Sequence, residues 1–391
     1  MTRYDQHSSP ELIAAQSFYD EISERALEIE AAKRLPADLA RKLNEAGLFR
    51  MAIPKAYGGP ERTLAQLLRV LEAVSYADGS VGWCQMIYGT MGFMAGLVQP
   101  EWAQVIFGNE HMSISSGATI PSGRGEFVKG GIKVSGRWSW GSGAHNSDWI
   151  TGATLIMDGG KPVQYPTGEP RIYMVYFSRD QVNLIENWDP SGLIGSGSGD
   201  FEVKDAFVPQ DRWIVMGDTA PLVDGPLYRL PYFGMLASAH AAHALGIAQR
   251  SVDCFSELAR SKIATWQTDT LAKNAIVQTS LGRAEGQLYA ARATIYEIVE
   301  EVTECVTRGD KPTLEHRRRL RMASNFVIET ATGIVDLMYT LGGGSAVHRT
   351  SPLQRCLRDM HVATQHGMVT HGHYRTAGML KLLGDRQIMM F

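Results

Sequence analysis

The sequence is poor in cysteine. Its 391 residues hold four, Cys84, Cys254, Cys305 and Cys356, and no two form a C-x-x-C pair. That scatter excludes a disulfide framework and a thiolate zinc cluster, and it fits reduced, buried thiols. Long apolar runs are missing as well: nothing reaches the roughly 18 uninterrupted apolar residues that a membrane helix needs. The first ten residues are polar and lack the apolar core of a secretory signal. Positive charge is not in excess, with 38 Lys and Arg against 41 Asp and Glu and a net charge of -3. The one basic cluster, Arg317, Arg318, Arg319 and Arg321, lies beside Leu320 and Met322. It reads as the solvated start of a helix and gives nucleic-acid binding little support. No three histidines share ligand spacing on one element, so no metal is expected. A dinucleotide signature is also wanting. Gly195-Ser196-Gly197-Ser198-Gly199-Asp200 fails G-x-G-x-x-G at its last position, and no helical pattern follows it. What remains is a cytoplasmic globular chain without a Rossmann domain.

Three textures follow one another along the chain, and they divide it at 1–110, 111–220 and 221–391. The first is helical. Leu12, Ile13, Phe18, Ile22, Ala26 and Ile29 recur at helix spacing. Pro36 starts a further helix that Gly47 stops, and Thr63 caps one whose stripe is Leu64, Leu67, Leu68, Leu71 and Val74. The second texture is strands. Phe127-Val128 and Ile132-Lys133-Val134 flank Gly130-Gly131, a hairpin signal, and Trp149–Thr151, Ile172–Phe177 and Phe201–Val203 are further strands. The third is helical again, with runs at 237–262, 272–307 and 313–341, a break at Gly342-Gly343-Gly344, and a last helix at 352–367. Helices, then strands, then helices argue against a doubly wound sheet, which needs the two to alternate. On the third long helix Val327, Ala331, Ile334, Val335 and Met338, widened by Ile328, make an apolar face that looks too broad for one intrachain contact. A homo-oligomer, a dimer of dimers, is the expectation.

This order resembles the acyl-CoA dehydrogenase fold: an α+β chain with an N-terminal helical domain, a central β-barrel or sandwich domain and a C-terminal four-helix bundle. Local motifs agree along the whole length. Pro54 through Gly58-Gly59 resembles an early "P-x-x-x-G-G" turn. Gly192-Leu193-Ile194-Gly195-Ser196, closed by Val208-Pro209, resembles the "G-x-x-G-(S/T)" loop, with Ile194 where the family usually has arginine. Arg355-x-x-Arg358-Asp359 resembles the "R-x-x-R-D" helix. Two segments point to one branch. Gly136-Arg137-Trp138-Ser139-Trp140-Gly141-Ser142-Gly143 is similar to the "G-x-W-x-W-x-S-G" segment of flavin-dependent hydroxylases, and His366 falls where those enzymes place a histidine. The dehydrogenases commonly carry a glutamate base just after this helix. Gln365-His366-Gly367-Met368-Val369-Thr370 offers no carboxylate.

The resemblance implies the oxygenase component of a two-component monooxygenase. It would take reduced FAD or FMN from a separate NAD(P)H-dependent reductase and hydroxylate a small aromatic, an indole or a phenol, with O2 through a flavin hydroperoxide. Ser142 would hold the flavin N5 proton, and Gly141 and Gly143 would let the backbone approach the cofactor. A turn serine is the plainer alternative. His366 would orient or deprotonate the substrate; the plainer role is to face a helix C-terminus. His361, His371 and His373 lie close by in sequence. Alternation along the strand puts Trp140 on the face of Trp138, so one of the two could meet the ring. Ser196 and Ser198 would cradle a phosphate with their loop N–H groups, and Gly343 and Gly344 would touch the cofactor of a neighbouring subunit or simply cap a helix. Two other readings stay open: an acyl-CoA dehydrogenase or nitroalkane-oxidase-like flavoenzyme, and a non-catalytic flavin- or acyl-binding protein.

Overall fold

The computed structural model describes residues 8–384, apart from 109, 111 and 218. The polar segment before residue 8, read above for a signal peptide, lies outside the described residues. Ser9 opens the chain of helices by accepting the Leu12 N–H (3.2 Å) at the start of α1 (Pro10–Ser17). Then come α2 (Tyr19–Glu24), α3 (Ala26–Ala32) and α4 (Ala37–Glu45). Leu12, Ile22, Ala26 and Ile29 point inward as their spacing predicts, whereas Ile13 faces solvent. Thr63 and Gln66 close a full capping box on α5 (Leu64–Ala77). The next helix, α6 (Gly79–Met91), is capped by Asp78, whose Oδ1 accepts the Ser80 and Val81 N–H groups. Its glycines hide it from a periodicity reading. Gly82 is there for close packing, since a Cβ would come within 2.2 Å of Ser75 Oγ on α5. A short α7 (Pro100–Phe107) ends this region.

Eight strands follow in one sheet: β1 (Ser115–Val128), β2 (Gly131–Trp138), β3 (Trp149–Asp158), β4 (Lys161–Pro162), β5 (Ile172–Ser178), β6 (Asn183–Ile185), β7 (Asp200–Pro209) and β8 (Trp213–Val215). The order is β6-β7-β2-β1-β3-β5-β8, with β4 on β3; β1 and β3 run parallel and the other pairs antiparallel. The β1–β2 hairpin turns on Lys129-Gly130, with Gly130 at φ +83° and Gly131 already in β2, one residue earlier than the sequence reading. Trp138, stacked on Phe201, fills the core of this region.

The last region is built on α8 (Tyr232–Ser261), α9 (Ala275–Thr307) and α10 (Leu314–Gly342), with α11 (Pro352–Ala363) and α12 (Gly372–Leu383) across them. Helix α8 packs on both α5 and α10, so the two helical regions share one core. Two expectations are corrected here. Val327, Ile328, Ala331, Ile334, Val335 and Met338 are all buried inside the single chain, so this face does not call for a second copy. Arg321 is not part of a solvated cluster. It is 1% exposed and donates to the Phe233 carbonyl and to the His373 ring.

Candidate functional site

Two loops form the floor of the site. The first, after β2, carries Trp140 to Gly143; the second, before β7, carries Leu193 to Gly199. Backbone hydrogen bonds join them: Gly141 N–H donates to the Gly199 carbonyl (2.8 Å) and Gly143 N–H to the Ser196 carbonyl (3.0 Å). Helix α6 lies against both. Its Tyr88 Oη donates to the Gly143 carbonyl (2.8 Å), and its Trp83 Nε1 donates to Ser142 Oγ (3.0 Å). Gly143 takes a φ of +74°, and a Cβ there would meet Tyr88 Oη at 2.4 Å. Glycine at Gly143 is thus required by α6, and Gly141 by Phe201, which a Cβ would approach to 2.9 Å. The packing accounts for both glycines without invoking a ligand.

The serines point inward. Ser142 Oγ lies 2.7 Å from Ser198 Oγ, which lies 2.7 Å from Ser196 Oγ, and Ser196 donates to the Leu193 carbonyl (2.7 Å). Of the loop N–H groups expected to cradle a phosphate, two are already engaged. Gly195 N–H is taken by Ser80 Oγ and Ser196 N–H by the Leu193 carbonyl. Trp140 also differs from its expectation. Strand β2 ends at Trp138, Trp140 adopts φ 68°, and its ring stands exposed beside Trp188 at 5.9 Å. The left-handed residue breaks the alternation that would have put both indoles on one face.

His366 reaches the same place from the far end of the chain. It follows α11 and caps a short 3-10 turn, where its Nδ1 accepts the Met368 N–H (3.2 Å). Its ring centre is 5.7 Å from that of Trp83 and 4.2 Å from that of His240. His361 pairs with Asp336, His371 with Glu329 and His373 with Arg321, so none of these three joins the cluster. The sequence reading missed Trp83, His240 and His243. The two α8 histidines stand edge-on to the Trp83 indole at 5.3 and 5.4 Å. A pair of histidines spaced i, i+3 in an Ala-rich helix was the available signal.

All three imidazoles are held neutral. Burial, with Arg321 nearby, pulls His366 down to about 4; burial brings His243 to about 4; burial and the adjacent His366 hold His240 well below the ordinary imidazole range. The tautomers follow from the partners. His240 Nδ1 meets the Leu236 carbonyl (2.8 Å) and therefore carries the proton, which leaves Nε2 a bare buried acceptor without a partner among the described residues. His366 accepts at Nδ1 and therefore carries its proton on Nε2. The site thus offers an oxygen lone pair at Ser142, a donor at His366 and an acceptor at His240 around one indole. Such a set suits a polar heteroaromatic group and its ring substrate, and among the described residues no cluster suited to a metal occurs.

Gly343 and Gly344 are not brought to this place. Gly343, at φ +51°, follows α10 beside Lys262, which donates to the Gly342 carbonyl. Lys262 lies about 33 Å further along α8 than His240, at 1.5 Å per residue.

Comparison with known proteins agrees with the geometry. Residues 13–99 match the acyl-CoA dehydrogenase N-terminal domain and residues 238–371 the acyl-CoA dehydrogenase C-terminal domain. The indole-3-acetate monooxygenase of Pseudomonas putida is 29% identical over 369 residues, covering 94% of this chain and 92% of that protein. The oxygenase subunit HsaA of the flavin-dependent monooxygenase of Rhodococcus jostii (strain RHA1) is 26% identical over 354 residues, covering 88% and 91%. The structure of XiaF from a Streptomyces species, in complex with FADH2 and glycerol, superposes with a TM-score of 0.89 at 20% identity, covering 97% of this chain and 96% of that one. The chain belongs to the acyl-CoA dehydrogenase superfamily, on the branch that holds the flavin-dependent monooxygenases.

Proposed function

We propose that the chain is the oxygenase component of a two-component system that hydroxylates a small aromatic ring, an indole or a phenol, with reduced flavin and O2. One observation carries this reading: Ser142 and His366, from different regions of the chain, converge on the single indole of Trp83. Reduced flavin, when bound, supplies the electrons that activate oxygen. The chain's own residues do the rest. Gly141, Ser142 and Gly143 would hold the cofactor, with Trp140 beside them, and Ser142 would accept a hydrogen bond from the N5–H of the reduced ring. Ser196 and Ser198 act through Ser142. His366 Nε2–H orients the oxygen or nitrogen of the substrate, and burial of the cluster excludes water. The groups around Trp83 are imidazoles, a poor set for removing an α-proton from an acyl thioester and a good one for orienting a ring.

A separate flavin reductase delivers the cofactor: one relative is named as an oxygenase subunit, and one structural neighbour holds FADH2. Gly343 and Gly344 stand too far from Ser142 to serve their own site and are assigned to the flavin of a neighbouring copy in a tetramer. No described helix is long and apolar enough to cross a membrane, and the four thiols are free; we place the protein in the cytoplasm. The test is anaerobic binding of reduced FAD and reduced FMN, then oxygen, with indole or a phenol present. Hydroxylated product should appear. Catalytic oxidation of NADH by the chain alone, or a chain purified with tightly held oxidised flavin, would sink the scheme.

A further inference from the structure

Four contacts run in line through the site. Trp83 Nε1 meets Ser142 Oγ at 3.0 Å, and Ser142 Oγ meets Ser198 Oγ at 2.7 Å. Ser198 Oγ meets Ser196 Oγ at 2.7 Å, and Ser196 Oγ meets the Leu193 carbonyl at 2.7 Å. Oxygen atoms this close need a proton between them. The line contains four such protons: one indole N–H and three hydroxyls. The carbonyl only accepts, so the Ser196 proton lies on Leu193. Ser196 then has none left, so Ser198 donates to Ser196. By the same count Ser142 donates to Ser198, and the indole can only donate to Ser142. One arrangement alone satisfies all four contacts, and it points from Trp83 to Leu193.

The consequence falls on Ser142. A serine hydroxyl has one proton and two lone pairs. Here the proton is committed to Ser198 and one lone pair to Trp83. What remains for a ligand is a lone pair. The three hydroxyls belong to residues 5%, 4% and 1% exposed (Ser142, Ser198 and Ser196), so bulk water is kept from reversing the line.

We propose that the fixed direction of this line makes Ser142 a redox filter for flavin. It receives the N5–H of the reduced cofactor and opposes the oxidised one, whose N5 bears a lone pair and no proton. The inference rests on the functional reading above, which puts Ser142 beside N5. Such a filter admits the delivered flavin and releases the used one with no moving part.

The test is anaerobic equilibrium binding of reduced and oxidised flavin to the full chain and three variants. Wild type should favour the reduced form. Ser198→Ala removes the group to which Ser142 donates. Ser142 can then turn its proton toward oxidised N5, and the reduced-to-oxidised affinity ratio should fall about tenfold, the effect of one hydrogen bond gained. Ser196→Ala breaks the line one link later and should lower the ratio in the same direction, by less. Trp83→Phe is the control: Ser142 must still donate to Ser198, so both affinities drop while their ratio holds within about twofold. A wild-type ratio near one, or an unchanged ratio in both serine variants, overturns the filter. If wild type binds neither flavin, the functional reading fails. If it hydroxylates an aromatic while Ser198→Ala keeps the wild-type ratio, that reading stands and the filter alone is lost.

Discussion

Ser142 and His366 flank one indole, yet their losses should look different. Ser142→Ala takes away the proposed acceptor for the N5 proton. Hydrogen peroxide should then rise and hydroxylated product per O2 consumed fall about tenfold, even at saturating substrate. Peroxide and product assays on the same sample check this; an unchanged yield returns Ser142 to a turn residue. His366→Ala should leave reduced-flavin affinity intact and slow hydroxylation about a hundredfold. Because His366 is held near 4, the acid limb of the wild-type rate should lie near that value and not at 6.5; a limb at 6.5 in a kcat profile would refute the neutral ring. Both were legible as candidates because each sits in a local motif. Trp83 and His240 were not. Their importance lies in contacts between α6, α8 and the end of α11, and no pattern of neighbours in sequence encodes those. Trp140 misled because a single positive φ overrides strand alternation.

At the scale of elements, the site is held by a buried acid pair. Asp78 caps α6, which carries Trp83. Asp359 on α11 accepts the Leu193 N–H (2.6 Å), at the head of the serine loop. A Cβ on Gly79, the residue after Asp78, would lie 2.7 Å from Asp359 Oδ2, and the Asp78 charge acts on the Asp359 carboxyl. Burial, then the neighbouring Asp78, raises Asp359 to about 8. A carboxyl raised in the folded state contributes stability below its unfolded value of about 4, and that contribution is lost as pH climbs toward 8. Asp359→Asn keeps the acceptor for Leu193 and drops the charge. Its melting temperature should match wild type near pH 4 and exceed it by a few degrees at pH 8.5. A pH-independent difference would disprove the raised Asp359 carboxyl. Among helices, α5 was legible from its capping residue and stripe. Helix α6 was not, because glycines that permit its close approach to α5 dilute the pattern. The α10 stripe was seen but misassigned, since sequence alone does not show that α8 runs beside it.

For the whole molecule, the neutral imidazoles set an acid limit. His243 has a folded value of about 4 against 6.5 in the unfolded chain, so the unfolded state takes up the proton first. Stability is complete above pH 6.5 and is lost as pH falls toward 4. His243 alone accounts for about 3 kcal/mol, at 1.36 kcal/mol per pH unit. Urea unfolding at pH 7.5 and pH 5 should show the drop, reduced in His243→Gln; equal stabilities would contradict burial of a neutral ring. The proposed tetramer is tested by sedimentation at micromolar concentration, where a strict monomer would remove the role given to Gly343 and Gly344. The helix–sheet–helix order was readable from texture. That the two helical regions share a core was not, since it depends on α8 crossing back to α5.

The indole of Trp83 has a further consequence. It is chemically kin to one of the rings the protein is proposed to oxidise, and it lies between Ser142 and His366, where that reaction is proposed to occur. Its N–H is tied to Ser142, and three imidazoles crowd its ring. Those contacts make it a protected bystander as long as a proper substrate is present to intercept the oxygen. Repeated delivery of reduced flavin without an aromatic should therefore wear the protein out from within. Peptide mass spectrometry should find added oxygen at Trp83 well before the exposed Trp266, although bulk oxidants would attack the two in the opposite order.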